Sequence, residues 1–508
     1  IAARVYMSRY PVSADEATTI VWFASRSPLD IVTDYTIPNN HILHSLFVHV
    51  SRQFFGASEL AGRIPALTAG VLLVPVSAWI GWKQFGAGVA LVVAAFVAAF
   101  PPLLEYSAQA RGYTLSALLI ALAFLSLLYA LEKPTRSAWM LYALCSGLAL
   151  FAVPTSLMGL YFIGIWLLTR PGRTWAQLWR AAAWTTGAIA FAVLMYLPAA
   201  ALSGWQRILS NTYVQAIPLR VIPRRLAELA LVLRDCWAGA LPNWVAAGLL
   251  LVSMYAVVRR TGGEHRAARL AIAFVGMCIV VLIVNRTVPP QRSLVVILPL
   301  LACVPAVGLH ALLQPLTRWH RLALPVVAVA LSGAWMVALE LRTQSIAAQP
   351  NLTRARDGSD QRVHCCSSGY YPDAEDVAVW AKRATSPSAP LVAHAFEGVG
   401  EAVRFYLLRE QVDITRLHRF DHRAGFAQLA GYDSMFVISR GVPRASEPDA
   451  HAASVLRMAV EQVQALFTAR AVGRPFLQSA LVVLVPRAGM EATIAASGRQ
   501  IDRLDYPR

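Results

Sequence analysis

The sequence predicts a polytopic α-helical membrane protein that carries a small α/β domain outside the membrane at its C-terminal end. Three observations lead there. The 508 residues are 57% hydrophobic and only 14% charged, with a mean hydropathy of +0.52, whereas a soluble domain carries about a quarter charged residues. Apolar runs long enough to cross about 30 Å of hydrocarbon recur through the first two thirds of the chain. Beyond residue 342 the pattern changes to short apolar strands separated by stretches of helical periodicity.

The apolar runs lie at about 62–82, 87–104, 113–131, 138–153, 155–169, 181–200, 240–258, 268–285, 292–313 and 321–341. The pair at 138–153 and 155–169 is divided by Val153-Pro154-Thr155. An even number of spans puts both ends of the chain on one side. Basic residues choose the side, because connections rich in Lys and Arg stay in the cytoplasm. One set of connections holds Lys83, Lys133, Arg136, Arg170, Arg173, Arg180, Arg259, Arg260, Arg266, Arg269, Arg318 and Arg321. The opposite set holds fewer: Arg111, Arg207, Arg220, Arg224, Arg225, Arg234, Arg286 and Arg292. Residues 1–61, the loop 201–239 and the tail are therefore expected outside. A chain that opens outside, at Ile1, suggests one more helix ahead of it, giving about 10–11 in all.

The tail follows a polar linker at 342–365. In 366–508, "PLVAHAF", "SMFVIS" and "SALVVLVP" read as buried strands, and "GVGEAVRFYLLRE" and "SVLRMAVEQVQALFTAR" as helices. The domains expected are thus 1–61, a first exoplasmic loop with interfacial helices; 62–341, the transmembrane part; and 366–508, an exoplasmic α/β domain.

The net charge is +17, and with only three lysines among the 45 basic residues it is nearly all arginine. The arginines flank apolar spans and form no continuous basic tract, which argues against nucleic acid as a partner. Of six cysteines, Cys145, Cys278 and Cys303 lie in apolar runs as packing residues; Cys236, Cys365 and Cys366 fall outside the spans, and no set has zinc spacing.

The polar residues concentrate on the outer side. In "SADEATTIVWF", Ser13 and Glu16 have the S-x-x-E spacing of a capping box, in which each satisfies a free N–H of the other. Asp15 has no such capping task. Asp30 and Asp34 follow, then "NNHILHSLFVHVSRQFFGASELAGRIP", where His41, His44 and His49 recur among apolar residues on what reads as an amphipathic helix at the membrane surface. The i, i+3 pair His41 and His44 has the spacing of metal ligands, and equally that of interfacial residues. A second polar stretch, "FPPLLEYSAQARGYTL", places Glu105, Gln109, Arg111 and Tyr113 between two spans, and Arg292 opens another in "NRTVPPQRSLVVILPLL". Acids and arginines from distant loops thus meet on one membrane face. Ionisable groups at such places mark substrate pathways. The set suits a lipid phosphate: arginines neutralise the phosphate while a carboxylate takes a proton from the incoming nucleophile.

These stretches together resemble the GT-C superfamily of membrane glycosyltransferases, in the branch of protein O-mannosyltransferases, aminoarabinose transferases and RgtA-like enzymes. The similarity runs over about residues 10–135, with a weaker echo in "QRSLVVILPLL". The resemblance implies a GT-C-like bundle with a large first exoplasmic loop and a polyprenyl-phosphate sugar as donor. It implies inversion at the anomeric carbon and a glycan, lipid or protein hydroxyl as acceptor. It assigns Asp15, Glu16 and Glu105 to catalysis, with Asp15 as base. Arg111, Arg292, Tyr113 and Gln109 would bind the donor phosphate, and His41, His44 and Asp34 the substrate. Members vary in metal dependence, so no metal is assigned and a divalent ion stays open as a cofactor. The family's loop proline after the histidine is Ile42 here, and the "SQ-x-R-x-Y"-like motif has one extra residue between Ser107 and Gln109. The implied setting is a bacterial inner or plasma membrane, with site and C-terminal domain facing the periplasm or exterior. The competing readings are a transporter or lipid-linked-sugar flippase using the same acids as a proton relay, or a non-catalytic assembly subunit. A transporter would favour paired repeats and mid-membrane acids, and the spans are nearly free of Asp and Glu.

Overall fold

The computed structural model describes residues 12–209, 243–259, 265–289 and 291–319 without interruption, the stretch 399–412, five short strands, and isolated positions elsewhere. The chain divides into two compact units. The first comprises Ile1–Arg9, Trp22–Gln349 and Thr353–Ser367, and the second Tyr10–Val21, Pro350–Leu352 and Ser368–Arg508.

The first unit is a helical bundle. Its centre is the helix Tyr113–Glu132, whose sequence is apolar on every side and whose only exposed residues are Tyr129 and Glu132. A helix without a polar stripe is stable only when surrounded, and this one packs against Glu59–Phe85 and Arg136–Ala152. Lys83 closes one end of the first contact, 2.5 Å from Glu132 and 3.9 Å above the Tyr129 ring. The helix Trp175–Ser203 lies at the rim. It presents Ile189, Val193, Leu194 and Leu197 outward, with Trp175 and Trp179 exposed in its first turns. Outward apolar residues beside aromatic anchors at a helix end are the dress of a helix in lipid.

Among the described residues, five helices are long and apolar enough to cross a membrane: Glu59–Phe85, Tyr113–Glu132, Trp175–Ser203, Arg266–Asn285 and Arg292–Gln314. The protein is an integral membrane protein. The runs expected at 138–153, 155–169 and 240–258 are helices too, but shorter: Arg136–Ala152, Pro154–Leu168 and Ala247–Val258. The run 321–341 lies outside the described residues but for a few isolated positions, as do the linker 342–365 and most of the loop 201–239.

One expected span is corrected. The run 87–104 is not straight: Ala87–Ala99 ends at Phe100, and the chain bends by 56° into a second helix, Pro101–Ser107. Pro101 and Pro102 cause the break. The residue before a proline is pushed out of the α region, and Phe100 is extended, at φ −64° and ψ 121°. The last carbonyls before the break would then lack partners. The buried guanidinium of Arg4 supplies them, donating to Val97 O and Ala98 O, each at 3.0 Å.

The second unit holds a five-stranded sheet of β1 (Leu391–His394), β2 (Leu417–Phe420), β3 (Met435–Arg440), β4 (Phe467–Ala471) and β5 (Ser479–Pro486) in the order β2-β1-β3-β5-β4. β1 is parallel to β2 and β3, while β5 pairs antiparallel with β3 and β4. The helix Val399–Arg409 connects β1 to β2, as a parallel pair requires a crossover. Two details differ from the sequence reading. β2 comes from the polar "LHRF", and the end of "SVLRMAVEQVQALFTAR" is strand β4, not helix. Alternation in "FTARA" outweighs the helical spacing before it.

Candidate functional site

The site of the first unit is built on the turn between Pro101–Ser107 and Tyr113–Glu132. Because the bent helix ends at Ser107, residues 108–112 must turn inside the protein, and Glu105, Tyr106, Ser107, Gln109 and Arg111 are all buried. Gln109 Nε2 donates to Glu105 Oε1 at 3.2 Å. Arg111 is 2% exposed; its guanidinium donates to Asn39 Oδ1 and, at 3.3 Å, to the Tyr113 hydroxyl, whose ring it also faces.

A second element brings the histidines. The helix Ile42–Phe55 buries Ile42, His44, Ser45, Val48 and Ser51, and exposes Phe47, Val50, Phe54 and Phe55. Its polar side is turned inward and its apolar side outward, the reverse of a surface helix in water. The expected helix is therefore present, with His44 facing the protein and His41 buried at its start. The loop before it is pinned by Asn40, which donates to Ile31 O at 2.9 Å and Asp34 O at 2.7 Å and accepts from Ser45 Oγ at 2.9 Å. Tyr35 N–H donates to Ser203 Oγ at 2.8 Å, tying the loop to the end of Trp175–Ser203.

Held this way, His41 meets the turn. The Gly112 N–H donates to His41 Nδ1 at 2.9 Å, and the imidazole stands edge-on to the Tyr113 ring with centroids 4.9 Å apart. A Cβ at Gly112 would sit 3.0 Å from His41 Cβ, so a side chain there would crowd the imidazole. His41 is held well below the usual histidine value, by burial first and then by the charges of Arg111, His44 and Arg292. His44 is pushed down to about 3 by burial and Arg111, with the Ala110 carbonyl opposing. Both imidazoles are neutral at physiological pH. Two guanidinium groups from distant loops thus bear on one buried neutral imidazole, which makes the place receptive to an anion. Arg292 stands on the short helix Gln291–Leu294, after a left-handed turn at Arg286 with φ +52°.

Of the residues singled out in the sequence, Arg111, Tyr113, His41 and His44 come together, Arg292 stands near enough for its charge to bear on His41, and Gln109 and Glu105 form the wall of the same turn. Asp34 serves the loop: one oxygen takes the Arg26 guanidinium at 2.6 Å, the other the Thr36 N–H at 3.0 Å and hydroxyl at 2.7 Å. Asn39 and Asn40 escaped the sequence reading, although paired asparagines before a helix signal a side-chain-built turn. Among the described residues no three His, Cys, Asp or Glu side chains are grouped so as to hold a metal ion.

Asp15 and Glu16 belong to the second unit. They lie in the helix Ala14–Thr18, and the capping box is present. Ser13 N–H donates to Glu16 Oε2 at 3.0 Å, and Glu16 N–H to Ser13 Oγ at 3.4 Å. Glu16 is fully buried by this task, while Asp15 is half-buried.

No protein-family model matches the chain, and no curated protein matches it in sequence. Solved structures do resemble it. ArnT from Cupriavidus metallidurans bound to undecaprenyl phosphate aligns over 96% of this chain and 97% of its own, with a TM-score of 0.54 at 16% identity. The apo state of that protein aligns with a TM-score of 0.49 at 13% identity, covering 98% of this chain and 97% of its own. The arabinofuranosyltransferase AftD from Mycobacteria aligns at 0.46 and 18% identity, over 95% of this chain and 41% of its own. Aligned with ArnT over nearly its whole length, this chain has the GT-C-like fold that its sequence predicts.

Proposed function

We propose that this protein is an inverting glycosyltransferase. It moves a sugar from a polyprenyl-phosphate donor to a hydroxyl of a glycolipid, cell-envelope polysaccharide or protein on the exoplasmic side of the membrane. The observation that carries the reading is a buried turn in which Arg111, Tyr113 and His41 stand together, with the charge of Arg292 near enough to bear on His41, on a fold whose ArnT example is bound to undecaprenyl phosphate. In this reading the domains are those expected from the sequence, with 62–341 in the membrane and 366–508 exoplasmic, as the bias of basic connections favours.

In this reading the donor phosphate is gripped by Arg111 and Arg292, and the neutral His41 adds an N–H. Asp15 takes the proton of the acceptor hydroxyl as its oxygen attacks the anomeric carbon. The new C–O bond forms on the face opposite the phosphate, and the bond to the phosphate oxygen breaks. Its electron pair leaves with the lipid phosphate, whose added charge the arginines neutralise. A transporter reading has less support, because the helices long and apolar enough to cross a membrane are nearly free of Asp and Glu.

The test is transfer from radiolabelled polyprenyl-phosphate sugars by the purified protein. Asp15→Asn should lose about 10²–10⁴ in rate, the contribution of a positioned base, while still binding donor lipid. Near-wild-type transfer by Asp15→Asn would remove the base from this scheme.

A further inference from the structure

The helix that carries Asp15 has only five residues, Ala14–Thr18, before the chain passes into a π-helical stretch, Thr19–Ala24. A helix so short cannot hold itself, since forming the first turn is unfavourable. Something else must fix where Asp15 stands. The capping box orders the helix start but does not anchor it to the rest of the unit.

The anchor is on Val399–Arg409, which packs against Ala14–Thr18. The Val12 N–H donates to the Tyr406 hydroxyl at 3.2 Å. Val12 precedes the cap Ser13, so this bond pins the chain where it enters the helix, three residues before Asp15. Val12, Ser13, Glu16 and Ala17 are fully buried, and Tyr406 is 1% exposed. Val12 and Ala17 also occupy the two positions of a hydrophobic staple, which sets the angle of entry. The Tyr406 ring is itself held, edge-on to Phe405 at 5.1 Å and with the Arg409 guanidinium 4.9 Å from its centroid. Arg409 in turn pairs with Glu375.

We propose that Tyr406 is a positioning residue for Asp15, acting through the Val12 N–H, so that the C-terminal α/β domain holds the base of the reaction. The inference rests on the reading of Asp15 as base. It gives the domain a part in catalysis instead of a purely accessory place, and it makes the hydroxyl of Tyr406, not only its ring, a requirement for turnover.

The experiment uses the full chain in detergent or nanodiscs and compares wild type, Tyr406→Phe and Phe405→Leu. Hydrogen exchange over residues 10–20 reads the anchor directly and needs no activity. Tyr406→Phe should speed exchange at the Val12 amide about tenfold, the factor one hydrogen bond is worth, and unchanged exchange would overturn the proposal. In transfer assays Tyr406→Phe should lower kcat about tenfold with KM for the donor unchanged. Phe405→Leu trims the neighbouring ring but keeps the hydroxyl, so it sets the loss that general loosening produces. A Tyr406→Phe loss in kcat no larger than that would also overturn the proposal. In an Asp15→Asn background Tyr406→Phe should add no further loss, because residues acting as one unit are non-additive. If Asp15→Asn itself transfers at the wild-type rate, the base reading fails, and a role for Tyr406 in catalysis fails with it, whereas the exchange result would stand.

Discussion

The Gly112 N–H donates to His41 Nδ1 across 71 positions of sequence, at 2.9 Å and fully out of water. That single bond decides the chemistry of the imidazole. With Nδ1 accepting, the proton of the neutral ring is on Nε2, so His41 offers a ligand a donor and never a base. His41→Ala leaves the Gly112 N–H buried without an acceptor, which costs about 1–3 kcal/mol. His41→Asn can place an amide oxygen near the Nδ1 position and should keep most of that stability, while losing the Nε2 donor. Thermal midpoints in detergent should therefore rank wild type, His41→Asn, His41→Ala. Equal midpoints for the two variants would mean the bond carries no weight.

Stability should also depend on pH through the two buried histidines. Above about pH 6.5 both are neutral folded and unfolded, and stability is level. Below it the unfolded chain takes up protons that the folded chain refuses, because His41 is held well below the usual value and His44 down to about 3. The sign is fixed: stability falls as pH drops from 6.5 towards 3. By pH 5 His44 alone should account for roughly 2 kcal/mol. Melting curves at pH 7.5 and pH 5 check this, and His44→Leu should flatten part of the slope. A midpoint higher at pH 5 than at pH 7.5 would contradict the burial of these rings.

Much of this was written locally in the chain. Ser13 and Glu16 form the capping box their spacing predicts, and Ser479–Pro486 is a strand over the residues of "SALVVLVP". Local signals survive because the partners are three or two residues apart. The bend at Phe100 was legible in Pro101 and Pro102 but was masked by hydropathy, which counts apolar residues and ignores backbone donors. The bonds from Asn39 to Arg111, Gly112 to His41 and Arg4 to Ala98 join residues far apart, and no periodicity encodes them. The sequence named most of the site's residue types; only the fold could say which partners hold them.

Gly70 should be among the least replaceable residues of the bundle. A Cβ there would lie 2.4 Å from Ser107 Cβ and 2.9 Å from Arg4 Nε, between the helix Glu59–Phe85 and the end of Pro101–Ser107. Neither neighbour can swing away, since Ser107 meets it through its own Cβ and Arg4 is fixed on two carbonyls. Gly70→Ala should cost about 1–3 kcal/mol of overpacking and shift the turn that carries Arg111. Gly88 is the control: its Cβ would meet the Nε2 of His310 at 2.2 Å, the far end of a side chain that can rotate. Gly88→Ala should therefore melt within a few degrees of wild type, and a loss as large as that of Gly70→Ala would refute the distinction.

Arg111→Lys tests whether geometry or charge matters at the proposed phosphate. Lysine keeps the charge but not the planar fork, and it cannot reach Asn39 and the Tyr113 hydroxyl together as Arg111 does. Losing one or two charged hydrogen bonds should weaken donor binding by about 1.5–3 kcal/mol, roughly ten- to a hundredfold in donor KM. Steady-state kinetics with varied donor measure it. Unchanged KM in Arg111→Lys would remove this residue from phosphate binding.

The last prediction separates two neighbouring acids. Glu16 is buried and spends its carboxylate on the Ser13 N–H, whereas Asp15 takes no part in the capping box. A glutamine oxygen can accept the same N–H, and Gln is a natural partner in the capping box. Glu16→Gln should then keep both fold and most of the transfer activity. Ser13→Ala, which removes the other half of the box, should cost about 1 kcal/mol of stability and lower transfer only through looser placement of the helix. Asp15→Asn should melt like wild type and transfer almost nothing. If Glu16→Gln is instead the inactive variant and Asp15→Asn the active one, the base has been assigned to the wrong member of the pair, and the acid held by the capping box is the one that does the chemistry.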